Sequence, residues 1–211
     1  YLRLGDLAPL MRELAKYSLT THHGCGDNIR NTAACPWATE CTHRRFDVLP
    51  YAHKTAEFIN SCRDLDNLPR KFKVSYSGCE ANCGQPLINC VGVVAIVRKG
   101  ADGTEHTGFR VMIGGGMGWR PQVGEMLYGF APRDQIQPLC RAITLLYRDH
   151  GERFDRSMAR LKVVVERLGI DKCREIIEGF LDAEGVDHSG FEKERVEDCG
   201  PPVPPRPLTE L

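Results

Sequence analysis

Apolar residues change their spacing several times along this chain, and each change marks an expected element. Leu7, Leu10, Met11 and Leu14 recur at helical spacing behind Asp6, a residue suited to capping, and predict an amphipathic helix running to Tyr17. Pro50 sits at the first turn of a second expected helix, which runs through Ala56, Phe58 and Ile59 towards Cys62. After Pro69 the period shortens to two: Phe72, Val74 and Tyr76 fall on one face of a strand, Lys71, Lys73 and Ser75 on the other. Residues 90–97, apolar apart from Gly92, read as a buried strand; Gly100 to Gly103 supplies a hairpin turn and 109–113 the returning strand. Three helices follow, 134–150, 155–168 and 171–183. Each begins at an aspartate (Asp134, Asp155, Asp171) and stops at a glycine (Gly151, Gly169, Gly185). The prolines at 201, 202, 204, 205 and 207 predict an extended tail over 186–211, lying on a neighbour or disordered, after a folded unit 1–185. Together these elements give an α+β fold, a mixed or antiparallel sheet flanked by helices.

Composition narrows the function classes. A chain of 211 residues, 42% hydrophobic, can bury the core of one domain or two tightly joined subdomains. Its 28 basic and 28 acidic residues balance, which argues against a nucleic-acid or membrane-surface protein and leaves room for a local basic pocket. No apolar run approaches the roughly 20 residues of a membrane-spanning helix, so no membrane insertion is expected. The chain starts at Tyr1 without a secretory leader, as a processed chain, a fragment or part of something longer would. The cytoplasm is the expected compartment, where clustered cysteines mean metal or catalysis rather than disulfides.

Of the ten cysteines, four are paired: Cys35 with Cys41 across five residues, and Cys79 with Cys83 across three. Cys25, Cys62, Cys90, Cys140, Cys173 and Cys199 read as small buried hydrophobes or surface thiols. The two pairs suit an iron–sulfur cluster, a four-cysteine zinc site, or unrelated thiols. The wide first pair and the basic residues nearby favour the cluster. Arg70, Lys71 and Lys73 lie just before the second pair, and Arg30 lies five residues before the first. Guanidinium forks and ammonium groups suit oxyanion or carboxylate oxygens, so cations gathered at thiolates point to a redox site for a small anion.

The run from Gly26-Asp27-Asn28-Ile29-Arg30-Asn31 to Cys35-Pro36, the stretch Leu68-Pro69-Arg70-Lys71-Phe72-Lys73, both cysteine pairs, and Gly114-Gly115-Gly116-Met117-Gly118 resemble the sirohaem-dependent sulfite and nitrite reductase family. Their order and spacing carry the likeness from about Thr20 to about Ala183, including Arg156-x3-Arg160-Leu161-Lys162. The resemblance implies the family's haemoprotein half-repeat fold, a 4Fe–4S cluster on Cys35, Cys41, Cys79 and Cys83, and a sirohaem whose iron shares the Cys83 thiolate. It implies six-electron reduction of sulfite to sulfide, or of nitrite to ammonia, with Arg30, Lys71 and Lys73 binding the anion. Arg70 is implied as a cofactor contact, with Asn28 and Asn31 as adjacent candidates. Gly114, Gly115 and Gly116 either let backbone amides approach the cofactor's carboxylates or form a tight turn between strand and helix. Arg156 and Arg160 are weaker cofactor candidates, and His22 and His23 read as ordinary polar loop residues.

Family members have two related halves and an arginine-bearing stretch on an earlier segment, and this sequence contains neither. The resemblance therefore implies a homo- or hetero-oligomer with a related half, and an electron-donor protein of ferredoxin or flavoprotein type. The motifs on one short half resemble dissimilatory, anaerobic-type subunits most. A non-catalytic electron-transfer or scaffold subunit is the contrasting expectation.

Overall fold

Five strands form one mixed sheet in sequence order: β1 (Ala33–Ala34), β2 (Val74–Ser77), β3 (Val91–Lys99), β4 (Glu105–Ile113) and β5 (Glu125–Pro132). The structure, a computed structural model, describes residues 1–118 and 120–200. β1, β2 and β3 run parallel, whereas β3, β4 and β5 are antiparallel neighbours. Among the described residues five helices accompany the sheet: α1 (Leu7–Lys16), α2 (Leu49–Ser61), α3 (Ile136–His150), α4 (Leu161–Leu168) and α5 (Ile170–Ala183). Val91, Val93 and Ala95 of β3 and Phe109, Val111 and Ile113 of β4 share one buried cluster with Ile59 of α2, Ile143 and Leu146 of α3, and Ile177 and Leu181 of α5.

Parallel neighbours need crossovers, and here the crossovers carry the chemistry. The connection from β1 to β2 holds Cys35, Cys41 and α2; the short connection from β2 to β3, residues 78–90, holds Cys79 and Cys83. Ala34 pairs with Tyr76, and the Cys35 amide donates to the Tyr76 carbonyl at 2.8 Å. Cys35 and Cys79 therefore leave the sheet together at the carboxyl ends of parallel strands, where α/β sheets commonly place ligand sites.

Several expected elements differ in form. β2 is buried throughout, so Ser75 and Ser77 do not face solvent. The Ser75 hydroxyl donates to the Gly84 carbonyl, and the Ser77 hydroxyl accepts the Gly84 amide at 2.9 Å. This backbone demand, absent from the periodicity, keeps both serines inside. The 155–168 helix begins only at Leu161: Asp155 accepts the Ser157 amide at 2.8 Å in a turn, and Arg160 is extended (φ −142°, ψ 147°). Helix α3 begins at Ile136, after a single 3-10 turn over Arg133–Gln135. It ends at Gly151 with an extended φ of −74°, and a Cβ there would stand 2.4 Å from Pro69. Helix α1 forms, but Asp6 makes no capping bond and no residue of the helix is buried.

The sequence reading also misses β5, an apolar segment buried across its middle. Residues 186–200 start the expected tail, and they cross the far face of this chain's own sheet. They pass from Phe130 on the free edge of β5, past Arg110 of β4, to Val97 of β3. The proline-rich residues 201–211 lie outside the described residues.

Candidate redox site

Each thiol of the four-cysteine set is held by its connection. Cys35 and Cys79 are 7% and 5% exposed, whereas Cys41 and Cys83 are partly exposed. Burial pushes the Cys35 thiol above its usual pKa, and Cys83, Cys41 and Cys79 push it further. Burial raises Cys79 likewise, with contributions from Cys41 and Cys83. The four sulfurs thus share one electrostatic neighbourhood. Among the described residues, no three His, Cys, Asp or Glu side chains stand close enough to close on a single metal ion. Four cysteine thiols are the donor set on which four-iron clusters are held. The donor set fits such a cluster.

After Cys83 the chain turns back along the sheet. Gly84 is pressed so tightly against β2 that a Cβ would fall 2.1 Å from the Tyr76 carbonyl oxygen. Gln85, Ile88, Asn89 and Cys90 then line a pocket of 390 Å³ with Lys71, Lys73, Gly116, Met117, Gly118 and Arg160. The two lysines from the approach to β2 therefore face one cavity, and Cys83 stands on the segment joining that cavity to the other thiols.

The pocket is strongly basic. Lys71 is held below its ordinary pKa of 10.5, first by the charge of Arg160, then by partial burial and by Lys73, Arg70 and Arg30. Lys162 is also lowered, by burial and then by Arg160 and Arg120. Lys71 thus stands among cations that each lower its pKa, and a bound anion would offset them. Asp27 is a nearby acid, held low chiefly by its hydrogen bond from Arg156 at 3.0 Å. Arg160 Nε, Arg30 Nε and Asn28 Oδ1 are buried without a protein partner, in a class of atoms that rarely goes unsatisfied.

Not every expected residue reaches the cavity. Arg30 does not line it; its guanidinium donates to the carbonyls of Gly24 and Gly26, the latter at 2.9 Å, and its charge still reaches Lys71. Arg70 donates to the Arg156 carbonyl at 2.8 Å. Asn28 Nδ2 donates to the Cys25 carbonyl at 3.0 Å, and Asn31 is exposed. His23 is 6% exposed and ties its loop to Asn60 at 2.7 Å and Asp66 at 3.2 Å.

The glycine run joins β4 to β5, so it is not a strand-to-helix turn. Gly114 needs its positive φ of +82°, and a Cβ on Gly115 would lie 2.4 Å from the Leu87 carbonyl oxygen. On Gly116 a Cβ would meet only Lys162 Cδ at 3.7 Å and Arg160 Nη2 at 3.9 Å. We expect Gly115→Ala to cost about 1–3 kcal/mol in thermal or denaturant unfolding. Gly116→Ala should unfold like the parent and weaken anion binding, because its methyl group enters the pocket; equal stability losses would refute this contrast.

A model of the nitrite and sulphite reductase 4Fe-4S domain matches residues 25–182, the span that holds the four cysteines and the pocket residues. This chain belongs to that family. The family's 4Fe-4S domain accords with the four grouped thiols. Over 187 residues the chain is 35% identical to an assimilatory ferredoxin-dependent nitrite reductase of Haloferax mediterranei, covering 87% of this chain and 32% of that one. It is 32% identical to sulfite reductase [ferredoxin] 1 of Mycolicibacterium paratuberculosis, covering 84% and 31%. The solved NirA protein of Mycobacterium tuberculosis superposes with a TM-score of 0.73 at 26% identity, over 93% of this chain and 33% of that one. The chain thus spans about a third of the length of these relatives.

Arg160 and the serine pair of β2 were not singled out as central by sequence pattern. Arg-x3-Arg resembles an ordinary helix face, and the signal that separates them is the early Asp155 turn, which leaves Arg160 extended at the pocket rim.

Proposed function

We propose that this chain is the cluster-bearing part of a six-electron reductase whose substrate is sulfite. The observation that supports it best is the segment 83–90, which leads from the grouped thiols directly into the wall of a cavity lined by Lys71, Lys73 and Arg160. Cys35, Cys41, Cys79 and Cys83 would hold the 4Fe–4S cluster. A sirohaem would be held at the basic pocket beside Cys83, with Gly116 leaving room and Arg160 offering its unpartnered Nε; Arg70 and Asn28 stand outside the lining and would reach it only by leaving their present carbonyl partners. Together these groups supply single electrons and an iron that binds the anion.

The chain's own residues bind, orient and protonate. Lys71, Lys73 and Arg160 fix the anion and stabilise negative charge on its oxygens as they gain electrons. Each oxygen leaves as water, taking two protons, and the two ammonium groups can donate protons that solvent replaces. Sulfite carries up to two negative charges against one for nitrite, so a cavity of mutually repelling cations favours sulfite. Nitrite is the second reading, favoured by the Haloferax relative. Ferredoxin is named in both curated relatives, and we propose a donor of that class. A related half, from a partner chain or a second copy, would complete the enzyme. Among the described residues no helix is long and apolar enough to cross a membrane. Among the described residues no disulfide joins any cysteine, and a reducing cytoplasm would keep them so.

Anaerobic purification, metal analysis and an absorption spectrum test this reading. Four or five irons per chain are expected, roughly one cluster with or without the haem iron. A tetrapyrrole band should shift when sulfite or nitrite is added to the reduced protein, and kcat/KM for the two anions decides between them. A cluster spectrum without that band would indicate an electron-transfer subunit instead, and zinc without iron would overturn the reading.

A further inference from the structure

Where the 186–200 segment reaches the edge of β3, it buries an ion pair beside the cysteines. Arg45 Nε donates to Asp198 Oδ2 at 2.7 Å, and the two side chains are 3% and 2% exposed. Asp198 also accepts the amides of Val97 at 3.0 Å and Gly200 at 3.2 Å, while the Cys199 amide donates to the Val97 carbonyl at 2.8 Å. Gly200 closes over the guanidinium so tightly that a Cβ there would fall 2.3 Å from Arg45 Nε. On its other side Arg45 is tied to the cysteine loops. Its amide donates to the carbonyl of Gly78, the residue before Cys79, at 2.8 Å, and its Nη1 donates to the His43 carbonyl at 3.2 Å. A buried ion pair is weak evidence for stability, because desolvation offsets much of its attraction. Its location suggests a different role.

We infer that Arg45 and Asp198 set the reduction potential of the cluster: Arg45 is a dry, fixed cation beside Cys79, and Asp198 is the strap-borne anion that positions and partly offsets it. This rests on the reading of Cys35, Cys41, Cys79 and Cys83 as cluster ligands. The Arg45 amide holds the carbonyl of Gly78, next to Cys79, and its guanidinium is sealed against Asp198, so a fixed charge pair lies close along the chain to that ligand. Reduction adds negative charge to a cluster, and in a poorly solvated setting a nearby cation favours the reduced state while an anion disfavours it. Arg45 and Asp198 are positioning residues here; neither touches substrate.

The test is a redox titration of the full iron-loaded chain, followed by the paramagnetic resonance signal of the reduced cluster. Arg45→Gln should lower the potential and Asp198→Asn should raise it, at unchanged iron content. Opposite signs are what a charge pair produces and what a general loosening of the fold does not. Arg45→Lys and Asp198→Glu keep the charges and should titrate with the parent; they decide the matter if the neutral variants lose iron. Loaded variants whose potentials do not move, or move together, overturn the inference alone. A displaced potential in both charge-retaining variants overturns it as well. A parent chain that takes up no iron overturns the cluster reading, and the inference with it.

Discussion

Cys79→Ser is expected to abolish cluster binding, with iron and acid-labile sulfide falling to background in protein that still folds. Cys79 is almost fully buried and sits between two anchored points, Gly78 on the Arg45 amide and Gly84 on the two serines of β2. A serine therefore keeps the backbone in place and changes only the donor. Iron ligands must be deprotonated, and burial already makes ionisation harder at this position, so a far less acidic hydroxyl stays protonated and does not ligate. Cys25→Ser is the control: that thiol is exposed and lies outside both cysteine pairs. Iron and sulfide measured against protein, with circular dichroism for the fold, settle the point. A Cys79→Ser protein that keeps its full iron would remove this residue from the ligand set.

The grouping of the cysteines and of the lysines was legible because it is set locally. A pair spacing and a two-residue period survive translation into three dimensions, so Lys71 and Lys73 do share a cavity. The expected mixed sheet is there too, because the long apolar runs of β3 and β4 can be satisfied only in a core. What the sequence hid depends on partners distant along the chain. Ser75 looks solvent-facing until Gly84 folds back onto it, and Met126 to Ala131 carries no alternation because both sides of β5 are covered. Glu192, Val196 and Asp198 look like a polar tail, yet they find backbone and arginine partners across the sheet. Arg30 is the converse case. Its motif is plain, but its guanidinium is engaged by the carbonyls of its own loop.

Removing one pocket cation should have the largest effect on turnover. Lys71→Met and Arg160→Leu, each alone, are expected to lower kcat/KM for sulfite by about 10²–10³-fold, the scale of losing one fixed donor to developing negative charge. The pH profile separates the two residues. In the proposed reading Lys71 would bind the anion as an ammonium, and its pKa is depressed below 10.5, most by Arg160. Binding must therefore fall as pH climbs through that lowered pKa, giving an alkaline limb earlier than an ordinary lysine would. Arg160→Leu removes the main depressing charge, so the limb should move to higher pH even as kcat/KM at neutral pH drops. Lys71→Arg keeps a charge that does not titrate in this range and should flatten the limb while recovering only part of the rate, because a planar fork does not reproduce an ammonium. Sulfite turnover measured across pH reads all three. An alkaline limb that stays in place in Arg160→Leu, or persists unchanged in Lys71→Arg, would show that another group governs it.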